Sequence, residues 1–223
     1  MRRRLPPAER RRSILDGAAA FFAERGFDGP TRDLAERLGV TQALLYRYFP
    51  SKEALIDAVF EAVYADNWDP AWTTALADRG VDLAERLNAF YRAYLGRGSA
   101  TTARLFMRAN LDGLGYAKRY SVPLTDRVLR PVLAELRHAA GLPAPEAVPI
   151  DYQEREIAMA LHGALVFLSI RKNIYGTPLP DDLAEPIAGI VRLFLPGALA
   201  ALQRLHGDGA TDRLPLLDPA SRR

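Results

Sequence analysis

TRDLAERLGVTQALLYRYFPSK, residues 31–52, reads as two short helices joined by a tight turn. Thr31 is placed to cap the first helix, because a threonine oxygen accepts from the exposed N–H groups of a first turn. Leu34, Ala35 and Leu38 then fall at i, i+1 and i+4 and make one narrow apolar stripe. Gly39 stops that helix, since a C-terminal turn needs the left-handed conformation that glycine adopts without strain. Val40 follows as a buried turn residue, and Thr41 caps a second helix over Gln42–Tyr48 with Leu45 facing inward. Pro50 ends it, and Ser51 caps the next. Two helices crossing steeply over a three- to four-residue turn with a glycine form a helix-turn-helix. Ala35 lets the second helix approach, Gly39 makes the turn, and Leu45 anchors the second helix to the first.

Upstream, MRRRLPPAERRR places Arg2, Arg3 and Arg4 before Pro6 and Pro7. Residues 1–7 read either as an arm that reaches an adjacent groove or as a solubilising tail. A helix is expected from Ala8 to Arg25, with Ile14, Ala18, Phe21 and Phe22 on one face and Gly26 at its end. Residues 1–53 carry eleven Arg/Lys against seven Asp/Glu, a net of +4, whereas the remainder carries 19 against 20, a net of −1. All the excess positive charge therefore sits with the helix-turn-helix, where phosphate neutralisation requires it. The basic N-terminus is followed by helical pattern rather than an apolar segment, so no secretion signal is expected. The chain has no cysteine, which removes disulfides, thiolate metal sites and a Cys nucleophile and fits a reducing cytoplasm.

GFDGPTRDLAERLGVTQALLYRYFPSKEAL (26–55), preceded by ILDGAAAFFAERGF (14–27), resembles the DNA-binding signature of the TetR family of one-component transcriptional regulators. Spacing and residue type agree over nearly fifty positions, roughly residues 10–60. The remaining chain resembles the family only in length and helical character. The resemblance implies an all-α fold: an N-terminal three-helix helix-turn-helix DNA-binding domain plus a larger C-terminal helical domain for ligand binding and dimerisation. The expected domains are residues 1–50 for DNA, 51–206 for effector and dimer, and 207–223 as a flexible tail.

Downstream, Ser51 starts a helix to about Ala65, which the resemblance makes the link between domains. NWDPAW (67–72) breaks the pattern at Pro70. Helices are then expected over Val81–Leu95, Thr101–Leu114, Leu124–Ala140 with a kink at Pro131, Glu154–Asn173, and Leu183–Leu205 interrupted near Pro196. The apolar run Ile157–Ile170 is about fourteen residues, too short to span a bilayer.

On the second motif helix, Gln42, Ala43, Leu44 and Arg47 are the expected exposed positions. Arg47 suits O6 and N7 of a guanine, and Gln42 suits N6 and N7 of an adenine; Ala43 and Leu44 offer apolar contact to a thymine methyl. Leu44 departs from the small polar residue common in the family. Thr31, Tyr46, Tyr48 and Lys52 resemble the family's phosphate-contacting positions, with core packing as the other reading of Tyr48. Arg32 is a further phosphate candidate.

One such module reads DNA weakly, so a dimer is expected. The 154–173 helix carries Ile157, Leu161, Ala164, Leu165, Phe167, Leu168 and Ile170, more apolar surface than one subunit covers. Ile187, Ile190, Val191 and Phe194 add a stripe on the 183–205 helix, and Ala160, Gly163 and Ala164 allow close approach. A four-helix interface with two-fold symmetry follows; the alternative is one very hydrophobic core helix in a monomer.

The family implies an effector pocket in the middle of the chain, with candidates Trp72, Tyr91, Tyr94, Phe106 and Asn110. Met107, Tyr116, His162 and Phe167 complete the set, each also readable as core. Their aromatic bias favours an apolar compound. His138, His162 and His206 lack metal-ligand spacing, and no nucleophile elbow, P-loop or dinucleotide fingerprint is present. Glu154 and Glu156, near Asp151, read as helix N-terminal charges. Neither enzyme activity, metal nor cofactor is expected. The resemblance thus implies a dimeric, ligand-responsive DNA-binding regulator, a repressor released from a palindromic operator by a small molecule, mainly apolar by the aromatic bias of the candidates. The alternative is an effector-independent structural or nucleoid-associated dimer.

Overall fold

A computed structural model describes residues 5–65, 68–112 and 122–207, and these are helices and loops with no strand among them. Arg2–Arg4, Asn67, Tyr116 and the tail beyond 207 lie outside the described residues. Contacts divide the chain into two units, Met1–Trp68 with Ser99–Tyr116, and Asp69–Gly98 with Ala117–Arg223.

The first unit begins with α1 (Pro7–Arg25), which has a proline in its first turn, where the missing N–H costs nothing. Ile14, Ala18, Phe21 and Phe22 are all buried, as their spacing requires. Gly26 at φ 82° ends the helix, its N–H bonding Phe22 O. Then follow α2 (Thr31–Leu38), α3 (Gln42–Tyr48) and α4 (Lys52–Phe60), which widens into a π-helical turn over Glu61–Ala65. The last element is α7 (Ala100–Leu111), which buries Leu105 and Ala109 in the same core as α1. Phe22 stacks on Phe27 at 5.1 Å, and Phe27 on Phe60 at 5.9 Å. Arg108 of α7 donates to the carbonyls of Ala23 and Glu24, two of the orphan acceptors at the end of α1.

The second unit holds α5 (Pro70–Leu76), α6 (Leu83–Gly96), α8 (Arg130–Ala139), α9 (Tyr152–Asn173) and α10 (Ala184–Gly207). The break expected at Pro70 is instead a helix start: Asp69 accepts from Ala71 N, and Pro70 occupies the first turn. The kink expected at Pro131 takes the form of a π-helical turn, Thr125–Leu129, in which Arg130 N–H reaches back five residues to Thr125 O. The ladder widens at the point where Pro131 cannot donate. The interruption expected near Pro196 is absent, and α10 runs through it. Arg192, Leu193, Pro196 and Gly197 are exposed, so the lost bond lies on the water side. By length and composition α10, rather than the 157–170 run, is apolar enough to cross a membrane. Its Ile187, Val191, Ala198 and Leu202 are nevertheless buried within the unit.

Two buried ion clusters tie these helices. Glu135 receives Arg86 at 2.6 Å and Arg79 at 3.1 Å, while Arg86 also donates to Leu76 O and Val81 O. Deeper still, Arg137 and Glu154 have no exposed side-chain surface and pair at 2.5 and 2.8 Å. Glu154 does more than lend charge to a helix start. It closes a capping box with Asp151 and also meets His206 Nε2 at 2.8 Å. Arg137 satisfies the carbonyls of Pro143, Val148 and Pro149 in the connection between α8 and α9. Arg137→Leu, which removes the guanidinium paired with the buried Glu154 and leaves it only His206 and the Asp151 N–H, is expected to cost about 3–5 kcal/mol by urea unfolding. Arg137→Leu with Glu154→Leu should recover most of that loss; a double variant as unstable as the single would show that the pairing is not what the site needs.

Candidate nucleic-acid interface

The turn between α2 and α3 is closed by backbone geometry. Gly39 sits at φ 62°, ψ 36°, the left-handed region. Its N–H bonds Glu36 O at 3.0 Å, and Val40 N–H bonds Ala35 O at 3.0 Å, the paired pattern of a Schellman motif. Val40 is half-buried rather than buried. Thr41 then accepts from Leu44 N at 3.1 Å and starts α3. Leu45 is 1% exposed and Ala35 3%, so α3 is pinned where the expected small-residue crossing lies. α1 also passes close to α2 at Gly17, where a Cβ would overlap Leu38 Cδ2. Sequence reasoning misses this constraint, although a glycine inside an apolar helix is its signal.

This framework leaves one face of α3 in solvent. Gln42, Ala43, Tyr46 and Arg47 are exposed, and Leu44, expected to be exposed, is half-buried. The side chain of Leu44 is branched at γ and leans back on the turn before it, so a position next to the base-facing ones is partly drawn inward. Arg32 is exposed and Lys52 half-buried. Tyr48 is partly buried and packs against the core that contains Phe49 and Leu55.

Thr31 departs most from expectation. It is the first residue of α2 rather than its cap; Pro30 holds the cap position without a side-chain bond. Thr31 is 7% exposed. Its hydroxyl accepts from Gln42 Nε2 at 2.9 Å and shares a hydrogen bond with Tyr46 OH, also at 2.9 Å. Three residues picked out separately in the sequence are thus one hydrogen-bonded unit. One of the two amide N–H donors of Gln42 is given to Thr31, which leaves its second N–H and its carbonyl oxygen for a base edge. Arg11, which the sequence shows only as part of a basic run, lies over the Phe49 ring at 5.2 Å and brings a cation beside the end of α3.

The effector candidates are distributed between the units. In the second, Tyr91, Tyr94 and His162 are buried together, with His162 at 6.0 Å from Tyr91 and 5.5 Å from Tyr94 between ring centroids. Trp72, half-buried, joins through Arg97, whose guanidinium lies over Tyr94 at 4.6 Å and Trp72 at 5.6 Å. Phe167 stands apart, 46% exposed, with Tyr175 at 6.0 Å. Phe106 and Asn110 belong to α7 of the first unit, where Asn110 donates to Phe106 O, and Met107 is exposed.

A short, exposed, basic-flanked second helix in a helix-turn-helix defines a DNA-binding domain. Residues 14–59 match the family model described as bacterial regulatory proteins, tetR family. It is 48% identical over 56 residues to the tetracycline repressor protein class A from transposon 1721 of Escherichia coli, covering 25% of this chain and 26% of that protein. It is 35% identical over 85 residues to the HTH-type transcriptional repressor KstR2 of Mycobacterium tuberculosis, covering 38% and 42%. The chain thus spans between a quarter and about two-fifths of these relatives' lengths. A TetR-like transcriptional regulator from Rhodococcus sp. RHA1 shares the fold over 87% of this chain and 100% of its own, with a TM-score of 0.62 and 24% identity. The TetR family transcriptional regulator PfmR from Thermus thermophilus does so over 82% and 97%, with a TM-score of 0.59 and 23% identity.

Burial lowers the His162 pKa to about 4 from an ordinary 6.5. The unfolded chain therefore takes up a proton near pH 6.5 that the folded protein resists until about pH 4, so stability falls as pH falls across that window, by about 3 kcal/mol at most. At Glu154, burial pushes the carboxyl up, but hydrogen bonds from Arg137, His206 and the Asp151 backbone outweigh it and the net pKa is lowered. That stability too is lost on acidification. His162→Leu is expected to flatten the pH 6.5–4 slope of unfolding free energy, and an unchanged slope would place the acid sensitivity elsewhere.

Proposed function

We propose that the protein is a dimeric transcriptional regulator, a repressor, that binds a palindromic operator through α3 and is released by a small, mainly apolar effector. The observation that carries this reading is the exposed Gln42, Ala43 and Arg47 face of a helix held by a left-handed glycine turn and one buried leucine. On this reading Arg47, Gln42, Ala43 and Leu44 meet base edges, while Arg32, Tyr46, Tyr48 and Lys52 set register on phosphates. Thr31 stands behind the face and fixes Gln42 and Tyr46.

The roles divide as residues 1–50 for DNA and 51–206 for effector and dimer, within the cytoplasm where DNA is met. Dimerisation falls to α9 and α10. Ala160, Gly163, Ala164 and Phe167 form an exposed stripe at helical spacing on α9, and Leu193 is 85% exposed on α10. An added Cβ at Gly163 or Gly197 would meet nothing within 4 Å, which leaves those surfaces open to a partner helix. The chain passes between the units after Trp68 and on both sides of α7, so these are the routes by which the effector acts on DNA affinity.

Genomic footprinting of the purified protein tests the reading, with recovery of a two-fold symmetric site expected. Arg47→Ala should cost about 1–3 kcal/mol and relax one base position in each half-site. Thr31→Val should broaden the position read by Gln42 while leaving random-duplex affinity nearly unchanged. Equal loss from Arg47→Ala on operator and random duplex would contradict direct base reading.

A further inference from the structure

We propose that Tyr91 and His162 mark the effector site itself, and that its ligand is a neutral molecule with an apolar body and one hydrogen-bonding group such as an amide, carbonyl or hydroxyl. This rests on the effector-responsive reading above. The Tyr91 hydroxyl and His162 Nδ1 are buried and have no hydrogen-bond partner; Asn88 Oδ1, one turn before Tyr91 on α6, is in the same condition. Tyr91 is 0% exposed and His162 6%. Polar atoms withdrawn from water are paired almost without exception in folded proteins. Orphans gathered on two helices that pack together, α6 and α9, call for a partner that arrives from outside.

The chemistry of the site selects that partner. Burial keeps His162 neutral at pH 7 and raises the Tyr91 pKa, so both side chains are uncharged hydrogen-bonding groups. Phe90, at 5.3 Å from Tyr91, and Tyr94 supply the apolar wall. The cation of the cluster, Arg97, is spread over the rings of Tyr94 and Trp72. An ionic ligand would lose its hydration against neutral partners, whereas a neutral polar group gains bonds it had only in water.

A cleft lies further along the same two helices. It measures about 450 Å³ and is lined by Arg92, Leu95, Ser169, Asn173, Asp182 and Ile187. Leu95 lies four residues beyond Tyr91, and Ser169 seven beyond His162, on the same helix faces. The cleft therefore opens along the two helices that carry the orphaned atoms, within about two turns of them. Its rim is polar, with Arg92 paired to Asp182 at 3.1 Å, and its volume suits a small ligand.

The test uses three size-matched probes, benzamide, toluene and benzoate, on the full chain by thermal shift and titration calorimetry. Benzamide should raise the midpoint of the wild-type protein more than toluene does, and benzoate should leave it unmoved. Tyr91→Phe and His162→Leu should each weaken benzamide about tenfold, the loss of one hydrogen bond, and leave toluene unchanged. Without ligand, Tyr91→Phe should melt no lower than wild type, because the hydroxyl it removes is unpaired. Benzoate binding as well as benzamide, benzamide binding undiminished in both variants, or no shift with any probe would overturn the assignment. Benzamide binding that leaves operator affinity unaltered would uphold the site while contradicting the effector-responsive reading. Release from the operator by another compound, unaffected by both variants, would do the reverse.

Discussion

The left-handed conformation of Gly39 is the constraint on which the rest depends. α3 has only seven residues, too few to be helical alone, and buries Leu45 as its single fully inward side chain. Its direction is therefore set at its start, by the two backbone bonds that Gly39 and Val40 return to α2 and by the Thr41 cap that follows at once. A residue with a Cβ at φ 62° would be strained at the point where the crossing angle is decided. The Thr31–Gln42–Tyr46 network completes the arrangement from the other side, so the exposed face is held by hydrogen bonds as well as by packing.

Much of this is legible in the chain. Gly39, Thr41, Ser51 and the apolar positions of α1 each have a local physical meaning, and the helix Gln42–Tyr48 follows from them without tertiary information. Contacts between residues far apart in sequence are not legible. Nothing local to Thr31 says that its hydroxyl serves Gln42 and Tyr46 rather than a helix start, because the competing partner lies eleven to fifteen residues away. Prolines mislead for a related reason. Pro70 and Pro196 carry the same intrinsic restriction, but one begins a helix under an Asp69 cap and the other sits on the water side of a helix packed on its far face. Periodicity places Tyr91, Tyr94 and His162 on apolar faces, and only the structure brings their rings together.

The second unit is built on a different principle. Arg137, Glu154 and His206 join three helices through a buried ion pair and a hydrogen bond, and Glu135 ties α8 to α6 and the loop before it through the buried Arg86 and the half-exposed Arg79. Such clusters tolerate no missing member, which sets the registry of α8, α9 and α10. Beside this fixed scaffold, the Tyr91 hydroxyl and His162 Nδ1 are buried polar groups without a hydrogen-bond partner.

Two copies of α3 reading successive major grooves would make affinity depend on the phase between half-sites. Binding to a duplex holding two half-sites at their native spacing, compared with the same half-sites moved apart by about five base pairs, half a helical turn, tests this most directly. The added half turn is expected to reduce binding to the level of a single half-site. Equal affinity for both spacings would contradict paired reading by a dimer.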